Sequence, residues 1–327
     1  MKRPAKPNFT FADLFCGGGF GARGVVAAGG RPLLAVDAWD VAAKTYKANF
    51  PDAHVIHGRV EDVNPDVLRR RKVDLLLTSP ECTNHTHARG SRPTVEASRE
   101  TAMSTLVWTA ALRPEFVVIE NVPNMRGWRR YEELLSGLRS LDYGVTESIV
   151  CASDFGVPQR RRRLFLTAWR NGVPKKVRIP RVDRSPARRI LDPKGTWDES
   201  PLYVPRRAKR TIAYAEAAME SLGGTKPFLV VYYGSDQAGG WQSLDQPLRT
   251  VTTLDRFALV RFSQGEWLMR MLQPGELARA MGVPMKHKFP VGNRRDKVRL
   301  CGNGICAPVV RGVVSQLLAQ RRALSGK

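Results

Sequence analysis

The chain has 327 residues, enough for one large domain or two unequal ones, and its 43% hydrophobic and 25% charged residues describe a folded globular protein rather than a disordered one. No apolar run approaches the roughly 18–20 residues of a membrane span. Lys and Arg number 53 against 30 Asp and Glu, a formal charge of +23 that calls for a polyanionic partner. Nucleic acid is favoured over an acidic membrane surface, because no basic amphipathic helix with an aromatic face stands out.

The opening MKRPAKPNFTFADLF is basic but has no signal-peptide hydrophobic region, so a cytoplasmic location is expected. Short apolar runs then alternate with amphipathic stretches, the mark of an α/β sheet that is mostly parallel. Strands are predicted at 9–15, 32–37, 73–78, 116–120, 144–151 and 163–168, and helices at 21–28, 41–49, 98–112 and 131–141. The runs Leu34–Val36 and Val117–Ile119 are apolar throughout, as in strands covered on both faces. From residue 171 to 210 the chain is rich in Pro, Arg and Lys with little periodicity, and reads as a basic loop region. A helix at 207–222 ends at Gly223-Gly224, and PFLVVYYG and FALVRF read as strands of a smaller second unit. The chain closes with VRLCGNGICAPVVRGVVSQLLAQ, a turn followed by an apolar-faced helix.

Five scattered cysteines without a CxxC pair argue against a disulfide framework or a structural zinc. Cys82, His85 and His87 lack a fourth ligand nearby, so no metal is expected. The first strand runs directly into Cys16-Gly17-Gly18-Gly19, where glycines let the backbone approach a ligand at a helix N-terminus. Asp37, twenty positions after Gly17, ends the second strand and is placed to accept ribose hydroxyls. This pattern fits an adenosine-containing cofactor without separating NAD from S-adenosylmethionine. The glycine spacing is not GxGxxG, which argues against a dinucleotide.

Three further stretches follow predicted strands or lead into one: Ser79-Pro80-Glu81-Cys82, Glu120-Asn121-Val122, and Gln159-Arg160-Arg161-Arg162-Arg163. A lone cysteine after a strand is by default a packing residue, and an arginine run by default a solvated or phosphate-binding patch. The three together, in this order, are far more specific. With DLFCGGGFGARG, VDAWDVAAKTYKANFP, LQPGELARAMGVP and CGNGICAPVV, they make the chain resemble the cytosine-5 DNA methyltransferase family over nearly its whole length.

The resemblance implies a Rossmann-like S-adenosylmethionine-dependent methyltransferase domain, with helices on both faces of its sheet and a smaller inserted target-recognition domain. On that reading residues 1–172 form the catalytic and cofactor domain, 173–290 the recognition domain, and 291–327 complete the catalytic domain. Cys82 is implied as the nucleophile, with Glu120, Arg161 and Arg163 as its catalytic partners. The cofactor would be held by Phe15, Cys16, Gly17, Gly18, Gly19, Asp37, Ala38, Val60 and Asn303. Gln159, Arg160, Arg249 and Arg256 are candidate DNA contacts. Implied partners are double-stranded DNA, bound by a monomer, and a cognate restriction endonuclease, with no membrane.

The chain departs from the family pattern at four places. Glu81 stands where a proline precedes the nucleophile, Thr83 where a Gln follows it, Phe20 where a second glycine is usual, and Arg59 where an Asp reads the adenine amino group. Ala38 also holds the place of a stacking Trp, with Trp39 one residue later. Two rivals stand beside the DNA enzyme: a methyltransferase acting on a tRNA cytosine with the same parts, and a catalytically silent DNA-binding homologue.

Overall fold

The computed structural model describes residues 8–68, 70–81, 100–233 and 240–326. Its frame is a seven-stranded sheet formed by β1 (Phe9–Leu14), β2 (Gly30–Asp37), β3 (His54–His57), β4 (Leu75–Thr78), β5 (Phe116–Asn121), β6 (Gly144–Cys151) and β7 (Arg162–Trp169). The order across the sheet is β3-β2-β1-β4-β5-β7-β6. The first five pair in parallel, and β7 runs antiparallel to both β5 and β6. That reversal has a functional consequence: the start of β7 lies at the same edge as the carboxyl ends of β4 and β5.

The strands are apolar on both sides because both sides are covered. Phe9, Phe11, Leu75, Leu77, Phe116 and Val118 face one core together with α1 (Phe20–Ala27) and α8 (Ala307–Ser325). Leu14, Leu76, Val117 and Ile119 face the other, against α3 (Ser104–Leu112) and α4 (Tyr131–Ser140). On the first face lies also α2 (Asp40–Asn49), which buries Tyr46.

A second, antiparallel sheet holds β8 (Ser200–Pro201), β9 (Phe228–Val231), β10 (Trp241–Ser243), β11 (Phe257–Ser263) and β12 (Glu266–Met271), in the order β10-β9-β11-β12-β8. One face packs on α5 (Lys209–Leu222) through Phe228, Val230, Ala258 and Val260. The other, with Leu229, Val231, Phe257 and Leu259, merges with the first core. Behind it follow α6 (Pro274–Ala280) and α7 (Arg294–Asn303). Glu276 of α6 is fully buried, and both its oxygens accept from Arg270 at 2.7 Å, which pairs the charge that burial would otherwise penalise.

The short strands β8 and β10, the strand β12 and the helix α6 are additions to the expected elements, and β3 and α7 show why such elements escape. The strand β3 is four residues long, too short to give a period-two pattern of its own, and it forms by pairing Leu34–Asp37 with His54–His57. The expected closing turn is a full helix, α7, because Asn293 caps it: its side chain accepts from Asp296 N at 3.0 Å and Asp296 accepts in return from Asn293 N. Among the described residues no helix is long and apolar enough to cross a membrane.

Candidate active site

The cleft sits at the carboxyl edge of the large sheet, where open α/β sheets present ligands. Between β1 and α1 the chain turns through Phe15, Gly17 and Gly19, all with positive φ. Gly17 donates its N–H to Asp37 Oδ2 at 2.8 Å, and Trp39 N–H binds Oδ1 at 2.9 Å. One carboxylate thus fixes the glycine loop and the start of α2 together. Burial pushes the Asp37 carboxyl above its usual range, opposed by these two hydrogen bonds and by Arg299. A β-carbon at Gly17 would meet nothing within 4 Å, so open space lies beside the loop backbone.

That space is a cleft of about 580 Å³. At one end it is lined by Phe15, Gly17, Asp37, Ala38, Trp39, Val60 and Asn303, and at the other by Ser79, Pro80, Glu81 and Glu120. Six of the nine expected cofactor residues line it. Cys16, Gly18 and Gly19 do not; they form the back of the loop, where a β-carbon at Gly19 would lie 2.6 Å from Phe50 Cε2.

The chemical end is built by three strand ends. Ser79 donates to Phe15 O at 3.1 Å, and Asn121 donates from Nδ2 to Pro80 O at 3.1 Å. The segment leading to Cys82 is therefore fastened to both the glycine loop and β5. Cys82 itself, with Thr83, His85 and His87, lies outside the described residues. Glu120 is buried at the end of β5, and Arg163 Nε approaches its Oε1 at 3.1 Å. Burial raises the Glu120 carboxyl, while the charges of Arg163 and Arg161 work against the rise. The net direction is upward, so Glu120 holds its proton to a higher pH than an ordinary Glu.

The other cysteines are poor nucleophile candidates. Burial raises Cys16 well above the thiol range, with Asp37 and Asp13 adding to it; Cys301 is raised in the same way, and Cys306 is pushed up to about 11. Cys151 is half-buried at the end of β6, with its sulfur 3.2 Å from Ser153 Oγ.

Two expected site residues are buried in backbone hydrogen bonds. Arg161, expected among the catalytic groups, donates to Val251 O at 2.9 Å, Gly302 O at 2.8 Å and Gly304 O at 3.0 Å. Gln159 was expected on DNA; it is buried too, giving Nε2 to Ala280 O at 2.9 Å and taking Val251 N–H on Oε1 at 2.8 Å. Both tie the start of β7 to the second unit. Within the same run, side chains that alternate in direction explain the split: 159 and 161 point inward, while Arg160 and Arg162 are exposed. Arg160 Nη2 donates to Gln246 Oε1 at 2.9 Å, Arg249 Nη2 to Trp241 O at 3.0 Å, and Arg256 Nη1 to Tyr232 O at 3.1 Å, so all three bind residues of the second unit.

Sequence reasoning missed Arg299, whose guanidinium lies 4.5 Å from the Trp39 ring centre and lines the cleft. The signal was its spacing of four from Asn303, one helical turn, hidden because α7 was read as a turn. Phe20, where a glycine is usual, is buried and packs edge-on to His287 at 4.9 Å, and Gly304 makes room for it. Arg59 and Glu61 both line the cleft, and Arg59 pairs with Glu61 and Asp62 at 3.7 and 3.8 Å.

Over residues 9–319 the sequence matches the model of the C-5 cytosine-specific DNA methylase family. The chain belongs to that family. Among relatives of the methylase, it is 31% identical over 174 residues to the type II methyltransferase M1.HphI of Haemophilus parahaemolyticus, covering 50% of this chain and 47% of that one. It is 24% identical over 281 residues to M.NgoPII of Neisseria gonorrhoeae, covering 80% and 81%. The chain thus spans about half the length of the first relative and most of the second. A tRNA (cytosine(38)-C(5))-methyltransferase of Spodoptera frugiperda is 26% identical over 148 residues, 44% of each chain. Among solved structures, a DNMT2 mutant of Spodoptera frugiperda superposes with a TM-score of 0.71 at 16% identity, over 95% of this chain and all of that one. The Entamoeba histolytica methyltransferase EhMeth gives 0.70 at 14%, over 95% and 98%. The mostly parallel seven-stranded sheet with helices on both faces is accordingly the Rossmann-like methyltransferase fold.

Proposed function

We infer that the methylase transfers a methyl group from S-adenosylmethionine to carbon 5 of a cytosine rotated out of duplex DNA, with Cys82 as the covalent nucleophile. The observation that carries this reading is the single cleft joining the glycine loop and Asp37 to Glu120, with Arg163 paired to that carboxyl. The open space beside Gly17, the acidic Asp37 and the Trp39 ring form an acceptor and stacking set that fits an adenosyl group. S-adenosylmethionine supplies a methyl group on a positive sulfur.

The residues supply the rest. Carbon 5 of cytosine is a weak nucleophile until the Cys82 thiolate adds to carbon 6 and turns the ring into an enamine. Negative charge then develops at ring nitrogen 3 and the carbonyl oxygen. A protonated Glu120 donates to nitrogen 3, and the Arg163 guanidinium meets the oxygen. A base takes the carbon-5 proton as the sulfur leaves. Arg161 and Gln159 act as positioning residues, because they hold the segment that carries Arg163. Base flipping costs a few kcal/mol, offset by backbone contacts from the basic surface. Arg160, Arg249 and Arg256 belong to that surface, and the second unit is the recognition domain. A cognate restriction endonuclease, a monomer on DNA and a cytoplasmic location complete the reading; the type II names of the bacterial relatives support the first of these.

Bisulfite sequencing of plasmid from cells expressing the protein tests this directly. Methylated cytosines in a fixed sequence context are expected, all lost in Cys82→Ser. Unchanged methylation in that variant, or no trapped adduct on an oligonucleotide carrying 5-fluorocytosine, removes the covalent mechanism.

An RNA substrate is the second reading, favoured by the Spodoptera tRNA enzyme among the relatives. Labelled cofactor offered with duplex DNA or with tRNA separates the two.

A further inference from the structure

The basic segment after β7 does something no part of the proposed chemistry requires. It leaves the far end of the large sheet and climbs along β6, the edge strand. Thr146 Oγ1 donates to Pro174 O at 2.5 Å, Val177 N–H donates to Ser148 Oγ at 2.9 Å, and Arg184 pairs with Asp154 at 3.1 Å just past the end of β6. From the other side Gln320 Oε1 accepts Lys175 N–H, and Gln316 both accepts Arg178 N–H and donates to Arg178 O, each at 2.8 Å. The backbone of this strap is therefore held by side chains of β6 and α8, without joining the sheet.

Covering an exposed edge explains the backbone. It does not explain the side chains. Lys175, Lys176, Arg178 and Arg181 are all exposed, and none has an ion pair or side-chain hydrogen bond among the described residues. Asp183 is the strap's own acidic residue, and Asp154 is taken by Arg184. Four uncompensated cations thus lie on a pinned backbone that runs beside β6 towards its carboxyl end, where Arg162 is exposed and paired in register with Cys151.

We propose that the strap at 175–184 is a phosphate track for duplex DNA flanking the methylated site, adding sequence-independent affinity from outside the recognition cleft. This rests on the DNA reading of the active site. The eight residues of β6 span ~26 Å at ~3.3 Å per residue. At ~3.4 Å per base pair that is about 8 base pairs of flank. Four cations along such a length face a phosphate backbone that carries a charge at every base step on each strand. Because its cations sit on a main chain already fixed, little backbone freedom is lost on binding.

The test is equilibrium binding of the full chain to a site-free duplex of about 40 base pairs, without cofactor, across a salt series. Lys175→Ala/Lys176→Ala/Arg178→Ala/Arg181→Ala is expected to flatten the slope of log affinity against log salt by about 3–4, since each phosphate contact contributes ~0.9. Affinity in moderate salt should fall at least tenfold. Lys176→Glu/Arg181→Glu should fall further. A control removing Arg70 and Arg71, which precede β4 in the interior of the sheet and not its β6 edge, should leave the slope nearly as it was. An unchanged slope in the strap variants, an equal loss in the control, or a change seen with tRNA but not with duplex overturns the proposal. Binding is read without methylation, so a protein that shows the slope change but never methylates DNA refutes the active-site reading and leaves the track standing.

Discussion

At the scale of single residues, Glu120 is where position and ionisation meet. It ends β5, is buried, and touches Arg163 at 3.1 Å. Burial raises its carboxyl, so the protonated, donating form survives to higher pH than for an ordinary Glu and is lost as pH climbs past the raised value. If that proton is donated to ring nitrogen 3, activity must fall on the alkaline side as Glu120 ionises. Glu120→Gln keeps a donor of similar shape but cannot pass a proton; kcat is expected to drop by ~10²–10³-fold, and the Glu120 limb of the pH–rate profile to vanish. Glu120→Ala, with no donor at all, should be slower still. Single-turnover rates across pH give both numbers, and an alkaline limb that persists in Glu120→Gln would assign the ionisation elsewhere. That Glu120 and the arginine run follow or lead into strands was legible in the sequence; that Arg163 stands beside Glu120 was not, because it depends on β7 pairing antiparallel with β5. Nor was the burial of Arg161, since four arginines in a row look alike until the fold sends one inward.

Elements show how the departures from the family pattern are absorbed. Phe20 opens α1 where a glycine is usual, and its ring fills the space against His287 and Gly304. A β-carbon at Gly304 would lie 2.5 Å from Phe20 Cδ2. The two positions are therefore coupled, and through Gly304 the loop bearing Asn303 is set against the glycine loop. Gly304→Ala alone is expected to cost ~1–3 kcal/mol by overpacking. In a Phe20→Ala background, itself destabilised by ~3–5 kcal/mol through the cavity it leaves, most of that cost should disappear. A double-mutant cycle from denaturant midpoints measures the coupling, expected within ~0.5–3 kcal/mol, and additive values would break the link. Much at this scale was readable from sequence: apolar runs marked β1, β2, β4 and β5, and glycine-terminated patterns marked α1 and α5. What escaped lacked a local signal. The strand β3 borrows its order from β2, the capping box of α7 lies among polar residues, and the direction of β7 depends on its partners rather than on its own residues.

For the whole molecule, the question is how a cleft assembled from three separate stretches of chain stays in register. The second unit interrupts the fold between β7 and α7, yet the apolar core runs through both sheets without a break. At the seam stands Arg161. Its guanidinium gathers Val251 O from the second unit with Gly302 O and Gly304 O from the returning segment, all within 3.0 Å, and Gln159 adds Ala280 and Val251 two residues earlier. Removing the guanidinium would strand three main-chain carbonyls in a buried place, and hydrogen bonds to charged groups count for ~1.5–3 kcal/mol each, though they do not simply add. Arg161→Ala is thus expected to lower stability by ~3–5 kcal/mol. Arg161→Lys, a point charge without the planar fork, should recover only part of it. More telling than the size is the shape of the transition. With the seam intact, the continuous core predicts one cooperative unfolding event by calorimetry; with Arg161 removed, the second sheet should loosen first and split the endotherm. Cofactor affinity should weaken in the same variant, since Gly302 and Gly304 flank Asn303, and the segment carrying Arg163 should lose part of its hold beside Glu120. A single transition merely shifted to lower temperature, with cofactor binding unaltered, would mean that the shared apolar core alone holds the parts together.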